Sequence, residues 1–487
     1  MGVHGGMIQN IMEKLALQKR TKIVATIGPA TEDEKTMTAL ARAGMDVIRL
    51  NFSHGDFEEH GKRIVNARKV SKKIGRPIAI LQDLAGPKIR IGEFYKERVM
   101  LKKGSTFTLT TKKIVGDETK AFVNYARLPR EVKKGGTILL DDGKKKLEVL
   151  RTTKTDIICK VIVGGETKGK RGVNVPGAHL NISSITEKDK KDLAFGMSHK
   201  VDFVALSFVR SPKDVKDLRA LLLKHKSQAG IISKIETQEA IENIDEIITL
   251  SDGIMVARGD LAIEVPAQDV PIHQKMIIEK CNAAGKPVIT ATQMLESMIK
   301  SPVPTRAEVS DVANSILDGT DAVMLSEETT LGDYPVEAVM VMAKVAETAE
   351  ARWGDFHFRS KWRKEYTHTV VDSVSRAVVR TAEETEAKAI VALTESGGTA
   401  RMIARFHPRQ IVFVMTSREH VARKMALSFG CIPMPTKDFA HIDHATEVID
   451  AFMKKNGIAK QGERVVVAAG LPFGKTGGTN MVLVHTV

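Results

Sequence analysis

Cysteine is scarce in this chain. Only Cys159, Cys281 and Cys431 occur among 487 residues, far apart and odd in number. They offer neither a disulfide framework nor a paired metal knuckle, and they fit a reducing compartment; the expected location is cytoplasmic. Aromatic residues make up 5%, too few for the stacking platforms that hold single-stranded nucleic acid. No apolar run is long enough to span a bilayer. The first twenty residues, MGVHGGMIQNIMEKLALQKR, have no continuous apolar core of the signal-peptide type. Gly6 stands where a myristoylation motif wants Ser or Thr. Acidic residues are outnumbered: 74 Lys and Arg face 59 Asp and Glu, a net charge of +15. The basic residues are spread along the chain, and no nucleic-acid motif accompanies them. The excess reads as a solvated surface that also attracts anionic substrates. Neither nucleic acid nor a membrane is expected as a partner.

What is present is an alternation. Short β-branched runs at Lys22–Ile27, Asp46–Phe52 and Pro77–Leu84 are separated by stretches of helical period, Glu34–Ala43 and Phe57–Lys73. Strands alternating with helices predict a parallel sheet. The rhythm breaks between about Lys88 and Asn181, where short strands and turn residues read as a small all-β insertion. Asp141-Asp142-Gly143 is a turn signal inside it. Alternation resumes with Val201–Val209, Gly230–Glu236, Gly253–Ala257, Pro287–Ala291 and Asp321–Leu325, separated by helical segments such as Pro212–Lys224, Gln238–Leu250, Ile272–Ala284 and Arg306–Leu317. Three strands before the insertion and five after it make the eight of a closed (β/α)8 TIM barrel. A further α/β sheet unit comes next, with three parallel-type strands at Ala389–Leu393, Ile411–Met415 and Arg464–Ala468. The polar stretch Trp353–Tyr366 marks the junction. The expected division is an N-terminal extension over 1–20, a barrel over 21–87 and 182–352, an inserted β-barrel lid over 88–181, and a C-terminal α/β regulatory domain over 353–487.

Active sites of such barrels lie at the C-terminal ends of the strands. The second strand places Arg49, Asn51 and Ser53 there. The third places Asp83, with Lys88 and Arg90 just beyond. The fifth ends Lys234-Ile235-Glu236, and the sixth is read as ending Arg258-Gly259-Asp260. The seventh brings Thr292, the eighth Ser326 and Glu328. Cations and carboxylates converging on one mouth describe a site for a multiply charged anion held with a divalent metal.

At these residues the chain resembles the pyruvate kinases, from about Arg20 to the C-terminus. The stretches that carry the likeness are KIVATIGPAT, VIRLNFSHG, QDLAGPKIRIG, GVNVPG, IISKIET, GIMVARGDLAIEVP, TATQMLESMIKSPVPTRAEVSDVANSILDGTDAVMLSEET and TESGGTAR. The resemblance implies phosphoryl transfer from phosphoenolpyruvate to ADP, giving pyruvate and ATP, in a homotetramer. It implies that Glu236 and Asp260 hold Mg²⁺ (or Mn²⁺) and that Arg49 and Lys234 neutralise the migrating phosphoryl group. It implies that Gly259 admits the substrate carboxylate, and that Thr292, Ser326 and Glu328 serve protonation of the enolate. Pro29, Arg49, His54 and Arg171 are expected near the nucleotide. The alternative on the same barrel is a Mg-dependent pyruvate-enolate lyase or aldolase.

Two further expectations come from the resemblance. Many pyruvate kinases need K⁺, held by residues matching Asn51, Ser53, Asp83 and the backbone of Leu84, and carry Glu where Lys88 stands. A Lys88 ammonium beside Asp83 would supply that charge, so K⁺ is expected not to be required. In the C-terminal unit, AIVALTESGGTAR reads as strand, small-residue loop and helix start. Thr394, Ser396, Gly397, Gly398 and Thr399 are candidates for a phosphorylated allosteric effector, with Lys475 on the facing stretch GLPFGKTGGTN; Glu395 adds a negative charge against it. Ala262 and Glu327 stand where glycine is common in the family.

Overall fold

A computed structural model describes residues 19–353, 369–474 and 478–487. Eight parallel strands close a barrel: Lys22–Thr26, Val47–Asn51, Ala79–Asp83, Phe203–Leu206, Gly230–Ile235, Gly253–Ala257, Val288–Ala291 and Ala322–Leu325. The first pairs with both the second and the eighth, through Val24↔Val47 and Val24↔Met324. The third pairs directly with the fourth through Leu81↔Phe203, so the insertion leaves the barrel continuous. Every residue of the first, third, fourth, sixth, seventh and eighth strands is buried. That is why these strands read as continuous apolar runs and not as an alternation.

The helices start and stop where their caps dictate. Asp33 caps Glu34–Ala43 through the Thr36 amide, and Gly44 ends it at φ 125°. Thr305 and Glu308 form a capping box on Arg306–Leu317. One expected helix is two: Gln238–Glu242 and Ile244–Leu250 meet at Asn243. The Asn243 side chain donates to the Arg210 and Glu239 carbonyls, an alternative to continuing the helical ladder. The sixth strand has its expected bounds, Gly253–Ala257, but the Arg258-Gly259-Asp260 read as its tip is helical. Arg258–Glu264 is a short helix. Gly259 and Asp260 therefore sit in the first turn of that helix.

The insertion is β-rich, as expected, with one short helix, Leu128–Glu131. A six-stranded sheet and a two-stranded ribbon lie between Arg98 and Asn174. Strand Thr137–Leu140 turns into Lys145–Thr152 with Leu140 opposite Lys145. The turn carries positive φ at Asp141, Asp142 and Gly143, the backbone that short Asp and Gly residues tolerate. The C-terminal unit has five strands where three were expected. Their order is Cys431–Pro435, Val412–Thr416, Ala389–Leu393, Arg464–Ala469 and an antiparallel Met481–Thr486. The two unforeseen strands are the edges. One, CIPMP, carries two prolines, which only an edge accommodates. The expected junction after Trp353 lies largely outside the described residues.

The C-terminal unit plugs the barrel. Ala426 and Leu427 are buried and join the barrel-interior cluster of Val24, Phe203, Met255 and Met324. Asp202 fastens this contact from the barrel side. Its carboxylate accepts from Ile80 N at 2.8 Å, Arg68 at 3.1 Å and Arg423 Nε at 2.6 Å, and the residue is 3% exposed. Removing one partner of a buried charge set leaves the others uncompensated. Asp202→Ala is expected to cost about 3 kcal/mol, read as a lower urea midpoint; a midpoint equal to that of the wild type contradicts this role for Asp202.

Candidate active site

The C-terminal strand ends bring four ionisable side chains into contact. Arg49 Nε donates to Asp83 Oδ2 at 2.7 Å, and Arg49 NH1 donates to Thr26 Oγ1 at 3.0 Å. Lys234 Nζ lies 3.4 Å from Asp83 Oδ1 and 2.9 Å from Glu236 Oε1. It also donates to Ser207 Oγ at 2.8 Å, and the Ser207 hydroxyl donates to Leu84 O at 2.7 Å. Asp83 and Glu236 are fully buried. Adjacent strands put them there: Asn51 pairs with Asp83, Asp83 with Ala205, and Lys234 with Met255.

Burial pushes the Asp83 carboxyl up, but the Lys234 and Arg49 charges outweigh it, and the group lies below its usual 3.8. Burial also pulls the Lys234 ammonium down, while Asp83 and Glu236 raise it further, so it stays protonated. For Glu236, burial and the nearby Asp260 charge push the carboxyl up against Lys234. Glu236 Oε2 accepts from Phe208 N at 2.7 Å, and Phe208 holds a left-handed φ of 52°. Glu236 Oε1 is buried and accepts no hydrogen bond of good geometry.

Asp260 opens the short helix beside this group, and Lys88 Nζ lies 3.8 Å from its Oδ1. Lys88 also lies 3.9 Å from Asp142 on the inserted domain. The expectation that Lys88 stands beside Asp83 is thereby corrected: Asp83 is taken by Arg49 and Lys234, and the Lys88 ammonium pairs across to Asp260 and the insertion. Thr292 adopts φ 70°, rare for a β-branched residue and a mark of stored strain. Three bonds hold it. Gly259 N donates to Thr292 Oγ1 at 2.8 Å, that hydroxyl donates to Ala291 O at 2.6 Å, and Arg258 donates to Thr292 O at 2.7 Å. Glu328 is buried, and both its oxygens are occupied by the Leu295 and Ser326 amides; burial pushes its carboxyl up. It braces the loops after the seventh and eighth strands.

Glu236 Oε1, whose charged neighbour is the Lys234 ammonium at 2.9 Å, and the nearby Asp260 carboxylate are oxygen ligands of the kind a divalent cation takes. Among the described residues no third His, Cys, Asp or Glu gathers with them. Two carboxylates suit an ion that takes its other ligands from water and substrate oxygens, as Mg²⁺ does.

The family model for pyruvate kinase, barrel domain, matches residues 18–339, and that for pyruvate kinase, alpha/beta domain, matches 372–485. A pyruvate kinase of Geobacillus stearothermophilus is 46% identical over 477 residues, covering 97% of this chain and 81% of its own. One of Clostridium acetobutylicum is 46% identical over 471 residues, covering 96% and 100%. The solved structure of a pyruvate kinase from Cryptosporidium parvum superposes with a TM-score of 0.92 at 35% identity, covering 98% of this chain and 97% of the other. The chain belongs to the pyruvate kinase family. It is a phosphotransferase, and the lyase or aldolase alternative gives way.

The other residues singled out by pyruvate kinase motifs lie around the same mouth. Asn51 Oδ1 accepts from Ser53 N at 3.1 Å. Pro29 and His54 are exposed on the loops after the first and second strands. The adjacent helix is capped by Asp56, not by His54. Arg171 is on the insertion, half exposed and 3.3 Å from Asp141. Ala262 and Glu327 are both exposed. The motifs did not single out Ser207, which joins Lys234 to the third-strand loop. Its one signal is its place directly after the fourth strand.

In the C-terminal unit Thr394, Ser396, Gly398 and Thr399 line a cavity of about 160 Å³. Gly397 bends behind it at φ 80° and donates to Thr394 Oγ1 at 3.0 Å. Glu395 is paired with Arg418 at 3.1 Å, which offsets its negative charge. Thr399 and Thr479 share a hydroxyl bond of 2.8 Å, so the facing stretch closes on the loop. Lys475 lies outside the described residues.

The depressed Asp83 carboxyl has a definite pH signature. A folded-state pKa below the unfolded one adds stability that is complete above about pH 4 and is lost as pH falls through the depressed value. Asp83→Asn is expected to lower the urea midpoint at pH 7, and its deficit against the wild type should shrink from pH 5 to pH 3. A constant deficit over that range contradicts the assignment.

Proposed function

We propose that this chain transfers the phosphoryl group of phosphoenolpyruvate to ADP, giving pyruvate and ATP, with Mg²⁺ (or Mn²⁺) held by Glu236 and Asp260. The observation that carries the reading is the buried contact set Arg49–Asp83–Lys234–Glu236 beside Asp260, at the end of the barrel where substrates bind. The bond from phosphorus to the enol oxygen breaks, and one to a terminal oxygen of the ADP β-phosphate forms. The enolate left behind takes a proton on carbon to become pyruvate.

The metal, when bound, supplies positive charge to the substrate's carboxylate and phosphoryl oxygens. The Lys234 ammonium, held by Asp83 and Ser207, neutralises the phosphoryl oxygens. Arg49 adds its guanidinium, whose Nε and NH1 are fixed by Asp83 and Thr26. Both cations are in place before reaction, so their charge acts without reorganisation. Gly259 offers close backbone approach for the substrate carboxylate. Thr292 orients the protonation step, and Ser326, held by Glu328, completes the rim. Pro29, His54 and Arg171 border the nucleotide; Arg171 sits on the inserted domain, which acts as the lid.

We read the cavity over Thr394–Thr399 as an effector site for a phosphorylated metabolite and the assembly as a homotetramer, which sedimentation velocity would distinguish from a monomer. A cytoplasmic location agrees with this reading. Among the described residues no helix is long and apolar enough to cross a membrane.

Pyruvate release from phosphoenolpyruvate that requires ADP tests the reaction directly. Lys234→Gln should lower turnover about 10²–10³-fold, and Glu236→Gln with Asp260→Asn should abolish ATP formation; intact synthesis in the double variant refutes the site. The K⁺ reading is tested in the same assay. The Lys88 ammonium 3.8 Å from Asp260 supports it by bringing a fixed cation to the mouth. Turnover is expected to persist when a bulky organic cation is the sole monovalent ion. A large loss that K⁺ restores ends that reading.

A further inference from the structure

A second cavity, of about 360 Å³, lies at the opposite end of the barrel from the reaction, between the N-terminal strand ends and the C-terminal unit. That face of a barrel serves stability, not catalysis, yet this cavity is basic. Lys286 comes from the loop before the seventh strand, Arg401 from helix Gly398–Ala404 and Lys424 from helix Glu419–Met425. None of the three pairs with a carboxylate among the described residues. Lys286 donates to Ser251 O at 2.5 Å, Lys424 to Gln228 O at 2.8 Å, and Arg401 to Ser396 O at 3.3 Å. The one carboxylate in the lining, Asp252, is already bonded to Arg219 at 2.7 Å and to Ile231 N at 2.8 Å.

Three cations sharing one carboxylate, Asp252, that Arg219 already engages are costly. Burial pulls Lys286, Lys424 and Arg401 below their usual range against the attraction of Asp252, and the Arg401 charge adds repulsion on the two lysines. A fourth group points the same way. Ser428 lines the cavity, is 1% exposed, and its hydroxyl has no hydrogen-bond partner. Buried polar atoms normally have one. Phe203, Pro287, Met402 and Met425 supply an apolar wall beside the charges.

We propose that this cavity is a second anion site, taking a phosphate-type dianion carried on a small organic molecule. Lys286, Arg401 and Lys424 bind the dianion, Ser428 Oγ donates to it, and the apolar wall receives the organic part. The volume is that of a small-ligand pocket. The site is separate from the cavity above Thr394–Thr399, but the two share a wall, because Ser396 and Gly398 line both. An anion held by Arg401 restrains that loop from behind.

Calorimetric titration of the full chain with inorganic phosphate at fixed ionic strength reads the site. Lys424→Ala is expected to weaken one binding event about tenfold or more, the value of one charge-assisted contact. Lys424→Arg should restore it, and Arg401→Gln should weaken the same event. Thr394→Ala, on the far side of the loop, should leave it in place. Phenyl phosphate should bind this site more tightly than inorganic phosphate. Wild-type affinity in Lys424→Ala overturns the proposal, and so does loss of the event in Thr394→Ala alone, which assigns the phosphate to the other cavity. Equal affinity for the two probes overturns the organic carrier. Lys424 bonds only a carbonyl at the surface, so its variants remain decisive even where Arg401→Gln disturbs the loop.

Discussion

Asp83 has almost no access to water, and it is held ionised by Arg49 on one side and Lys234 on the other. An isolated carboxylate in such a place would give up its charge. Here two cations from neighbouring strands make the charge favourable, and the carboxylate in turn fixes both cations. Lys234 extends the chain to Glu236, and Glu236 to the Phe208 amide. The barrel mouth is thus rigid for an electrostatic reason. Its positive groups are aimed by negative ones that cannot leave.

Parallel closure makes this possible. Each strand delivers its terminal residue to the same end, so residues far apart in sequence become neighbours without any local motif joining them. The loops beyond the strand tips add the detail. Phe208 and Thr292 adopt left-handed backbone that their side chains disfavour. In each case the strained residue offers a backbone or hydroxyl group to the site, and surrounding bonds from Glu236, Gly259 and Arg258 hold the conformation. Local strain is offset by contacts that the whole barrel provides.

Much of this was legible from residues alone. The barrel strands announced themselves as apolar runs because both faces of a parallel sheet are buried. Arg49, Asp83, Lys234 and Glu236 could be gathered because strand ends share one face. Other features were not legible, for physical reasons. Strand Cys431–Pro435 is rich in proline, which argues against a strand unless the edge position is known. Met481–Thr486 pairs antiparallel, a direction that sequence does not declare. Lys88 pairs with a different carboxylate from the one expected because its neighbours depend on where the inserted domain folds back, bringing Asp142 close from a distant turn. Ser207 has no distinctive pattern around it at all.

Leu427 and Ala426 stop the lower opening of the barrel with side chains that belong to another part of the polypeptide. A barrel of this kind ordinarily fills its own interior with layers of its own strand side chains. Here the cork is borrowed. Excising the C-terminal portion would uncork an oily hole and strand Asp202, whose third partner is Arg423. Barrel and C-terminal unit are therefore not separable modules: each covers apolar surface of the other, and a change that loosens one is felt in the other's interior.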